Sequence, residues 1–210
     1  MDIHIWSDVA CPWCYIGKRS LEHALAEFEG RDEVRVIWRS FELDPAAPPE
    51  RSMPMRQILA KKYQMSDQQV DATQARITAL AASYGLDYHL DEVRSGNTFD
   101  AHRLIHLAQT VGLGDQMKER LLHAYFTESA LVSNHETLVG LASEVGLDPD
   151  EVRRFLATDE LADAVRHDEA LAASNGFSGV PTFVVDGRYA VSGAQDPAVL
   201  LELLRKAALG

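Results

Sequence analysis

The chain has 210 residues, a hydrophobic fraction of 46% and a formal net charge of −12 at pH 7. These values are typical of one large globular domain, or of one domain that carries an insertion. The negative charge argues against binding to nucleic acid or to anionic membrane surfaces. No uncharged run approaches the length of a membrane span, and the first residues lack the basic start and apolar core of a signal peptide. We therefore expect a cytoplasmic protein.

The N-terminal part of the chain has the pattern of a strand, a helix and a second strand. Ile3 to Ser7 is predicted to be a short buried strand, and residues 34–41 are rich in β-branched and aromatic side chains, as strands are. Between them, helical spacing places three apolar side chains on one stripe: Leu21, Leu25 and Phe28. These lengths predict a βαβ unit with parallel neighbouring strands and a right-handed crossover.

The only two cysteines lie where the first strand meets the helix, in the sequence Cys11-Pro12-Trp13-Cys14. A Cys-x-x-Cys pair in this context is typical of a dithiol redox site. The start of a helix favours a thiolate, so we expect a lowered pKa at Cys11. Cys14 lies one turn further along the same face and could resolve a mixed disulfide formed at Cys11. A zinc site is disfavoured because no second cysteine pair exists, and a structural disulfide would close too short a loop to stabilise much.

Residues 46–165 are predicted to form an all-helical insertion. Prolines at positions 45, 48 and 49 interrupt the preceding pattern, and from about Met53 to Asn175 the spacing is helical with no convincing strand. Several helix starts are marked by capping patterns. They are Ser66 with Gln69, Ser133 with Glu136, Asn97-Thr98 and Asp148-Pro149.

Strand patterns return after Gly176. Residues 181–185 and 188–192 flank Asp186-Gly187, a preferred two-residue hairpin turn. Asp196-Pro197 then starts a last helix with a broad apolar face. The whole pattern predicts an α/β fold whose sheet is covered by helices.

Residues 1–45 and 166–210 would form one domain, with the insertion packed over the cysteine pair. This arrangement resembles the thioredoxin superfamily, and within it the DsbA-like thioredoxin domain with a large all-helical insertion. The similar group is the FrnE-like set, related to 2-hydroxychromene-2-carboxylate isomerases and kappa-class glutathione transferases. Four segments carry the resemblance: residues 7–17, 41–45, 97–104 and 179–183.

The resemblance implies that Val180-Pro181 is a cis peptide beside the redox cysteine. Pro181 would then form a catalytic wall of the site, and the backbone of Val180 could pair with an extended substrate. An ordinary trans proline at the start of a strand is the alternative. Pro12 and Trp13 would face substrate, although Trp13 could equally cover apolar surface.

Two further ligand contacts are implied only by the relatives. Asn97 would contact a glutathione-like ligand, although capping a helix explains it equally well. Gln195 lies where relatives bind the glutamyl end of glutathione. No cofactor is required by the residues themselves, and glutathione is the one candidate ligand.

Two differences from the relatives bear on the chemistry. Kappa-class transferases and chromene-carboxylate isomerases have a serine where this chain has Cys11, so the dithiol favours redox chemistry. No histidine lies between Cys11 and Cys14. We therefore expect a less oxidising potential than that of DsbA-type Cys-Pro-His-Cys sites.

Three other residues could serve the site. Asp8 precedes the cysteine pair and could relay protons to Cys14, although shaping the turn is the commoner role of aspartate there. His102 and His106 share a helix face, and a pair of satisfied histidines is favoured over a metal site. No metal site is predicted.

The leading hypothesis is a thiol–disulfide oxidoreductase or isomerase that acts on a protein or small molecule bearing a thiol or disulfide. One alternative is a glutathione-dependent isomerase or transferase acting on an aromatic or polyketide intermediate. Another is a non-catalytic binding or chaperone-like module. A homodimer is compatible with the relatives but is not indicated by any residue.

Overall fold

A mixed sheet of four strands forms the base of the molecule. The computed structural model describes all 210 residues, and the strands are β1 (Asp2–Ser7), β2 (Arg35–Ser40), β3 (Thr182–Val185) and β4 (Tyr189–Ser192). Their order is β2-β1-β3-β4, with β1 parallel to β2 and antiparallel to β3. Asp186 and Gly187 have φ values of +49° and +65°, as the tight turn between β3 and β4 requires. The parallel strand pair and the hairpin are confirmed.

Nine α-helices complete the fold, and seven of them lie between β2 and β3 without an intervening strand. This arrangement confirms the predicted α/β fold with an all-helical insertion. α1 packs against α9, while α4, α5 and α8 contact β2. None of the helices has the length and apolar character that a membrane span needs. The helices are α1 (Pro12–Glu27), α2 (Met55–Tyr63), α3 (Asp67–Ser83), α4 (Phe99–Thr110), α5 (Gly114–Phe126), α6 (His135–Glu144), α7 (Pro149–Leu156), α8 (Ala162–Ser174) and α9 (Pro197–Ala208).

Most of the predicted helix starts are confirmed. Ser66 and Gln69 form both hydrogen bonds of a capping box at the start of α3. The carboxylate of Asp148 accepts two backbone N–H groups in the first turn of α7. α4 begins directly after Asn97-Thr98, as predicted.

The predicted capping box of Ser133 and Glu136 is wrong. The cap of α6 is Asn134, whose side-chain oxygen accepts the N–H of Thr137 at 3.0 Å. The hydroxyl of Ser133 instead donates to the carbonyl of Pro49, in the loop that follows β2. A long-range partner therefore takes the serine away from the local role that its spacing suggested.

The sheet and the helical insertion share one apolar core of 39 buried residues, which extends from Ile5 in β1 to Leu138 in α6. The predicted boundary between residues 165 and 166 falls inside α8, which is one continuous helix. Asp168, on this helix, accepts the N–H of Ser40 at 3.0 Å and so joins α8 to the edge of β2. The insertion is thus fused to the sheet domain rather than linked to it loosely.

Candidate active site

Both cysteines lie at the start of α1, where the sequence placed them. Cys11 is the N-cap residue, with φ −96° and ψ 112°, and Pro12 occupies the first helical position. The N–H of Cys14 donates to the carbonyl of Cys11 at 3.0 Å, which closes the first turn. No disulfide joins the two cysteines, and both residues are almost fully buried, with exposures of 3% for Cys11 and 1% for Cys14.

The loop before β3 lies directly against Cys11. Val180-Pro181 is a cis peptide, as the resemblance implied, and the carbonyl of Val180 lies 3.5 Å from the sulfur of Cys11. Gly17 permits this approach, because a Cβ there would lie 2.9 Å from the ring of Pro181. Close packing therefore explains a glycine inside α1.

The two thiols do not ionise as the sequence predicted. A hydrogen bond with Cys14, together with burial, raises the pKa of Cys11 well above its usual value. Burial opposes ionisation of Cys14, but the hydrogen bond from Cys11 and the charge of Lys118 outweigh it and lower the pKa of Cys14. The expectation of an acidic Cys11 was wrong because its sulfur caps no backbone N–H of the helix and instead lies against the carbonyl of Val180.

Lys118 is a buried cation that the sequence analysis missed. Its side chain comes from α5, is 1% exposed as a residue, and lies 3.4 Å from the carbonyl of Ser7 and 5.4 Å from the centre of the Trp38 ring. Burial lowers its pKa, and the negative charges of Cys14 and Asp8 oppose that effect. The sequence pattern does indicate that Lys118 is buried, because it lies at helical spacing from Leu121 and Leu122 on an otherwise apolar stripe.

Asp8 joins three segments around the cysteine pair. One carboxylate oxygen accepts the N–H of Ala10 at 3.3 Å and lies 3.3 Å from Nε2 of His102, and the other accepts the N–H of Leu43 at 2.7 Å. Burial raises its pKa, but the bonds from His102 and Leu43 outweigh it and lower the pKa of Asp8. Asp8 therefore shapes the turn, and proton relay to Cys14 stays a prediction.

The insertion also fixes the loop that carries the cysteines. The hydroxyl of Tyr88 donates to the carbonyl of Pro12 at 2.7 Å. The ring of Tyr88 stacks between Tyr15 and Phe126, with centroid distances of 6.1 Å and 4.8 Å. Tyr88 and Pro12 are far apart in the sequence, so no local pattern could indicate this contact.

A cleft of about 380 Å³ opens between Cys11 and the α2–α3 pair. Of the predicted site residues, Cys11, Pro12, Trp13 and Val180 line it, whereas Cys14 does not. Cys11 is therefore the sulfur that a bound molecule meets first. The cleft also contains a set of apolar side chains from the insertion: Met55, Ile58, Leu59, Val70, Ile77, Leu90, Val93 and Phe126.

Asn97 and Gln195 do not line the cleft, and both side-chain amides have other partners. Asn97 donates to Glu42 at 3.1 Å and accepts the N–H of Phe99 at 2.8 Å. Gln195 donates to the carbonyl of Ser192 at 2.6 Å. Their contacts with a glutathione-like ligand stay predictions.

Next to Asn97, the buried carboxyl group of Glu42 and the partly buried carboxyl group of Glu169 share one guanidinium. Arg166 donates to Glu42 and to Glu169, at 2.7 Å each. The other oxygen of Glu169 is buried without a hydrogen-bond partner. Burial is the main cause that raises the pKa of Glu42 to about 7, and Glu169 adds to it. Protonation of Glu42 is the change that would give this oxygen a hydrogen-bond donor.

We predict that Lys118→Met shifts thiolate formation at Cys14 to higher pH. Methionine keeps the apolar stem but removes the positive charge that stabilises the Cys14 thiolate. Thiolate absorbance of the reduced protein against pH measures the shift. Lys18→Met is the matched control, because Lys18 is also buried but pairs with carboxylates of α1 and α5, among them Glu119 at 3.0 Å. An unchanged titration in Lys118→Met would show that the charge does not act on the pair.

The fold and the buried Cys-x-x-Cys pair together define a thioredoxin-like protein with a dithiol centre. A model of the DSBA-like thioredoxin domain matches residues 2–205. The chain therefore belongs to the DsbA-like thioredoxin family, whose fold carries the helical insertion described above.

Several known proteins are similar to this chain. A probable DsbA oxidoreductase from Streptomyces coelicolor is 44% identical, with a TM-score of 0.94 over 99% of this chain and 90% of that one. The uncharacterized protein YwbO from Bacillus subtilis (strain 168) is 30% identical over 88% of each chain.

Two more distant structures show the same fold. The cytosolic disulfide reductase DsbM from Pseudomonas aeruginosa, solved with GSH, is 18% identical, with a TM-score of 0.69 and full coverage of both chains. A 2-hydroxychromene-2-carboxylate isomerase is 17% identical, with a TM-score of 0.71 over 100% of this chain and 96% of that one.

Proposed function

We propose that this protein is a thiol–disulfide oxidoreductase or isomerase that works through Cys11 and Cys14. The observation that carries the proposal is the pair itself: two free cysteines within one helical turn, of which only Cys11 lines the cleft. Membership in the DsbA-like family and the similarity to a probable DsbA oxidoreductase support it.

The proposed reaction exchanges one disulfide for another. The sulfur of Cys11 attacks a substrate disulfide, passes its proton to the Cys14 thiolate, and forms a mixed disulfide as one substrate thiolate leaves. Cys14 then attacks the sulfur of Cys11, its proton goes to a departing substrate sulfur, and the second thiol is released. Two electrons pass from the dithiol to the substrate. The reverse sequence oxidises a substrate dithiol.

The walls of the cleft next to Cys11 would hold the substrate. Pro12, Trp13 and Val180 line it, whereas Pro181 does not, so the role of Pro181 as a catalytic wall stays a prediction. We propose Pro12, Trp13 and Val180 as the substrate contacts. Asn97 and Gln195 would contribute only if a ligand displaced their present partners.

Equilibration of the protein with glutathione redox buffers tests the function. We expect Cys11 and Cys14 to interconvert reversibly between dithiol and disulfide, with the neighbouring Trp13 as a fluorescent reporter. The potential should lie below the value of about −120 mV that is typical of DsbA, because no histidine lies between the cysteines. A protein that never forms the disulfide would contradict the proposal, and a potential near −120 mV would contradict only the expected redox poise.

A glutathione-dependent isomerase or transferase is the second candidate. We consider this candidate because the fold is similar to that of a 2-hydroxychromene-2-carboxylate isomerase and to that of a reductase solved with GSH. This candidate requires tight binding of glutathione and an activity that survives Cys14→Ser. We propose a cytoplasmic location for either activity, in line with the DsbM neighbour, which is described as cytosolic.

A further inference from the structure

Helix α2 covers one side of the cleft over Cys11, and the rest of the protein buries its side chains only partly. No residue of α2 is buried, and its N-cap residue, Pro54, offers no side-chain hydrogen bond. Met55, Ile58 and Leu59 are each only half-buried. They lie at helical spacing on one face of α2, and that face lines the cleft. The helix therefore presents an apolar surface to the space in front of the reactive sulfur.

Side chains from α3 and from the segments beside it continue this apolar surface. Val70 and Ile77 of α3, with Leu90 and Phe126, line the same cleft, and 17 of its 27 lining residues are hydrophobic. Met65, in the turn between α2 and α3, adds a flexible and polarisable side chain that adapts to different apolar shapes. Transfer of an apolar group from water into such a space is favourable in proportion to the area covered.

Charged groups in the cleft are few, and most of them are already paired. The lining contains four: Asp8, Asp44, Arg51 and Lys62. Asp8 is bonded to the loops around it, and Arg51 forms an ion pair with Asp44. Lys62 is then the one cation available to a ligand. Glutathione carries two carboxylates and an ammonium group, and the charged groups available in this cleft do not match that set.

We propose that the sulfur exchanged at Cys11 carries a bulky apolar group of low molecular weight, an aryl or branched alkyl thiol or its disulfide, and that α2 selects it. The inference rests on the exchange reaction proposed above and specifies its substrate. A volume of about 380 Å³ lies in the range of sites that enclose small ligands. In the reaction, one apolar disulfide and the protein dithiol become two apolar thiols and the protein disulfide, so atoms and electrons balance.

Two disulfides that differ only far from sulfur test the selection. Bis(N-acetyl)cystamine and bis(N-phenylacetyl)cystamine have closely matched sulfur chemistry, because the acyl groups are remote from it. The measurement is the second-order rate constant for oxidation of the reduced protein by each. We expect the phenylacetyl compound to react about 10- to 100-fold faster, because its rings are buried against α2.

Variants of α2 show whether this helix is the selecting element. Ile58→Ser and Leu59→Ser should each lower the ratio of the two rate constants to below about threefold, since each removes apolar surface from the cleft. Lys61→Ser is the matched control, because Lys61 is exposed on the same helix and does not line the cleft. It should keep the ratio of the unmodified protein.

The outcomes separate this inference from the function on which it rests. Equal rates for the two cystamines, or a faster reaction with glutathione disulfide, overturn the inference and leave the exchange reaction intact. A faster reaction with the disulfide dimer of a ten-residue peptide whose cysteine is flanked by leucine and phenylalanine overturns it in favour of a protein substrate. If the protein exchanges with none of these disulfides, the proposed function itself is contradicted.

Discussion

Replacement of Cys11 by serine should lower the rate of disulfide exchange by at least about 1000-fold, because the group that attacks the substrate is lost. Cys14 cannot take its place, since it is 1% exposed and does not line the cleft. The rate of insulin reduction, or of oxidation by a small disulfide, measures the effect. We expect Cys11→Ser to fold normally, because the change removes little volume and no apolar contact of size.

Cys14→Ser is the matched variant, and its expected result is different. Cys11 can still form a mixed disulfide, but no neighbouring thiol remains to release it. The adduct should therefore accumulate and be visible as an added mass on Cys11. Capture of cellular disulfides by this variant, followed by identification of the thiol component held on Cys11, would identify the substrate.

Three results would contradict the proposed roles. Exchange by Cys11→Ser within about tenfold of the unmodified protein would remove Cys11 as the attacking group. Full turnover by Cys14→Ser would favour the glutathione-dependent isomerase or transferase. Holdase activity unaffected by alkylation of Cys11, without exchange, would favour a chaperone-like module.

Replacement of Glu42 by glutamine should remove a pH-dependent loss of stability. The pKa of Glu42 is raised to about 7 in the folded protein from 4.5. The unfolded chain therefore releases this proton at lower pH than the folded protein does. Stability from this group is complete below about pH 4.5 and falls as pH rises toward 7. Above pH 7, ionised Glu42 lies buried beside Glu169, with Arg166 as the shared cation.

Glutamine cannot ionise, so the variant lacks the pH-dependent term of Glu42. When its oxygen accepts from Arg166, its NH2 group faces the Asn97 amide that donates to Glu42, so we expect a loss of stability that does not depend on pH. Relative to the unmodified protein, the free energy of unfolding of the variant should rise by about 2–3 kcal/mol between pH 4.5 and pH 8. Urea denaturation across this range measures the difference. The comparison isolates Glu42, because all histidines are common to both proteins.

Glu29→Gln is a suitable control. Glu29 is an exposed carboxylate paired with Arg205 at 2.6 Å, and the pKa of Glu29 is lowered by that bond. It is therefore ionised throughout the range, and its removal should leave the slope between pH 4.5 and 8 unchanged. A difference between Glu42→Gln and the unmodified protein that stays constant with pH would show that Glu42 and Glu169 share no proton.

Local patterns predicted most of the architecture. The βαβ unit, the hairpin at Asp186-Gly187 and the capping box at Ser66 depend on spacing and turn chemistry, which act over a few residues. The pattern failed at Ser133, where a partner 84 residues away in the chain took the hydroxyl. The start of α8 at Ala162 was not predicted, because its N-cap residue, Leu161, forms no side-chain capping hydrogen bond.

The site was predicted in part for the same reason. Cys11, Pro12, Trp13 and Cys14 are adjacent in sequence, so one motif located them. Tyr88 and Lys118 lie far from that motif in the sequence and are brought to it only by the packing of the insertion. The predicted ligand contacts of Asn97 and Gln195 stay predictions: the amide of Asn97 donates to Glu42, far away in the chain, and the amide of Gln195 donates to the nearby carbonyl of Ser192.

The amino-acid order alone determined that two thiols meet at the first turn of a helix that follows a strand. The sequence could not determine which of the two sulfurs is ionised. That depends on how much water surrounds each sulfur and which cations and carbonyls face it, and these are supplied by residues from α5 and from the loop before β3. Electrostatic energy depends on distance in space rather than on separation along the chain, so only the folded molecule decides it.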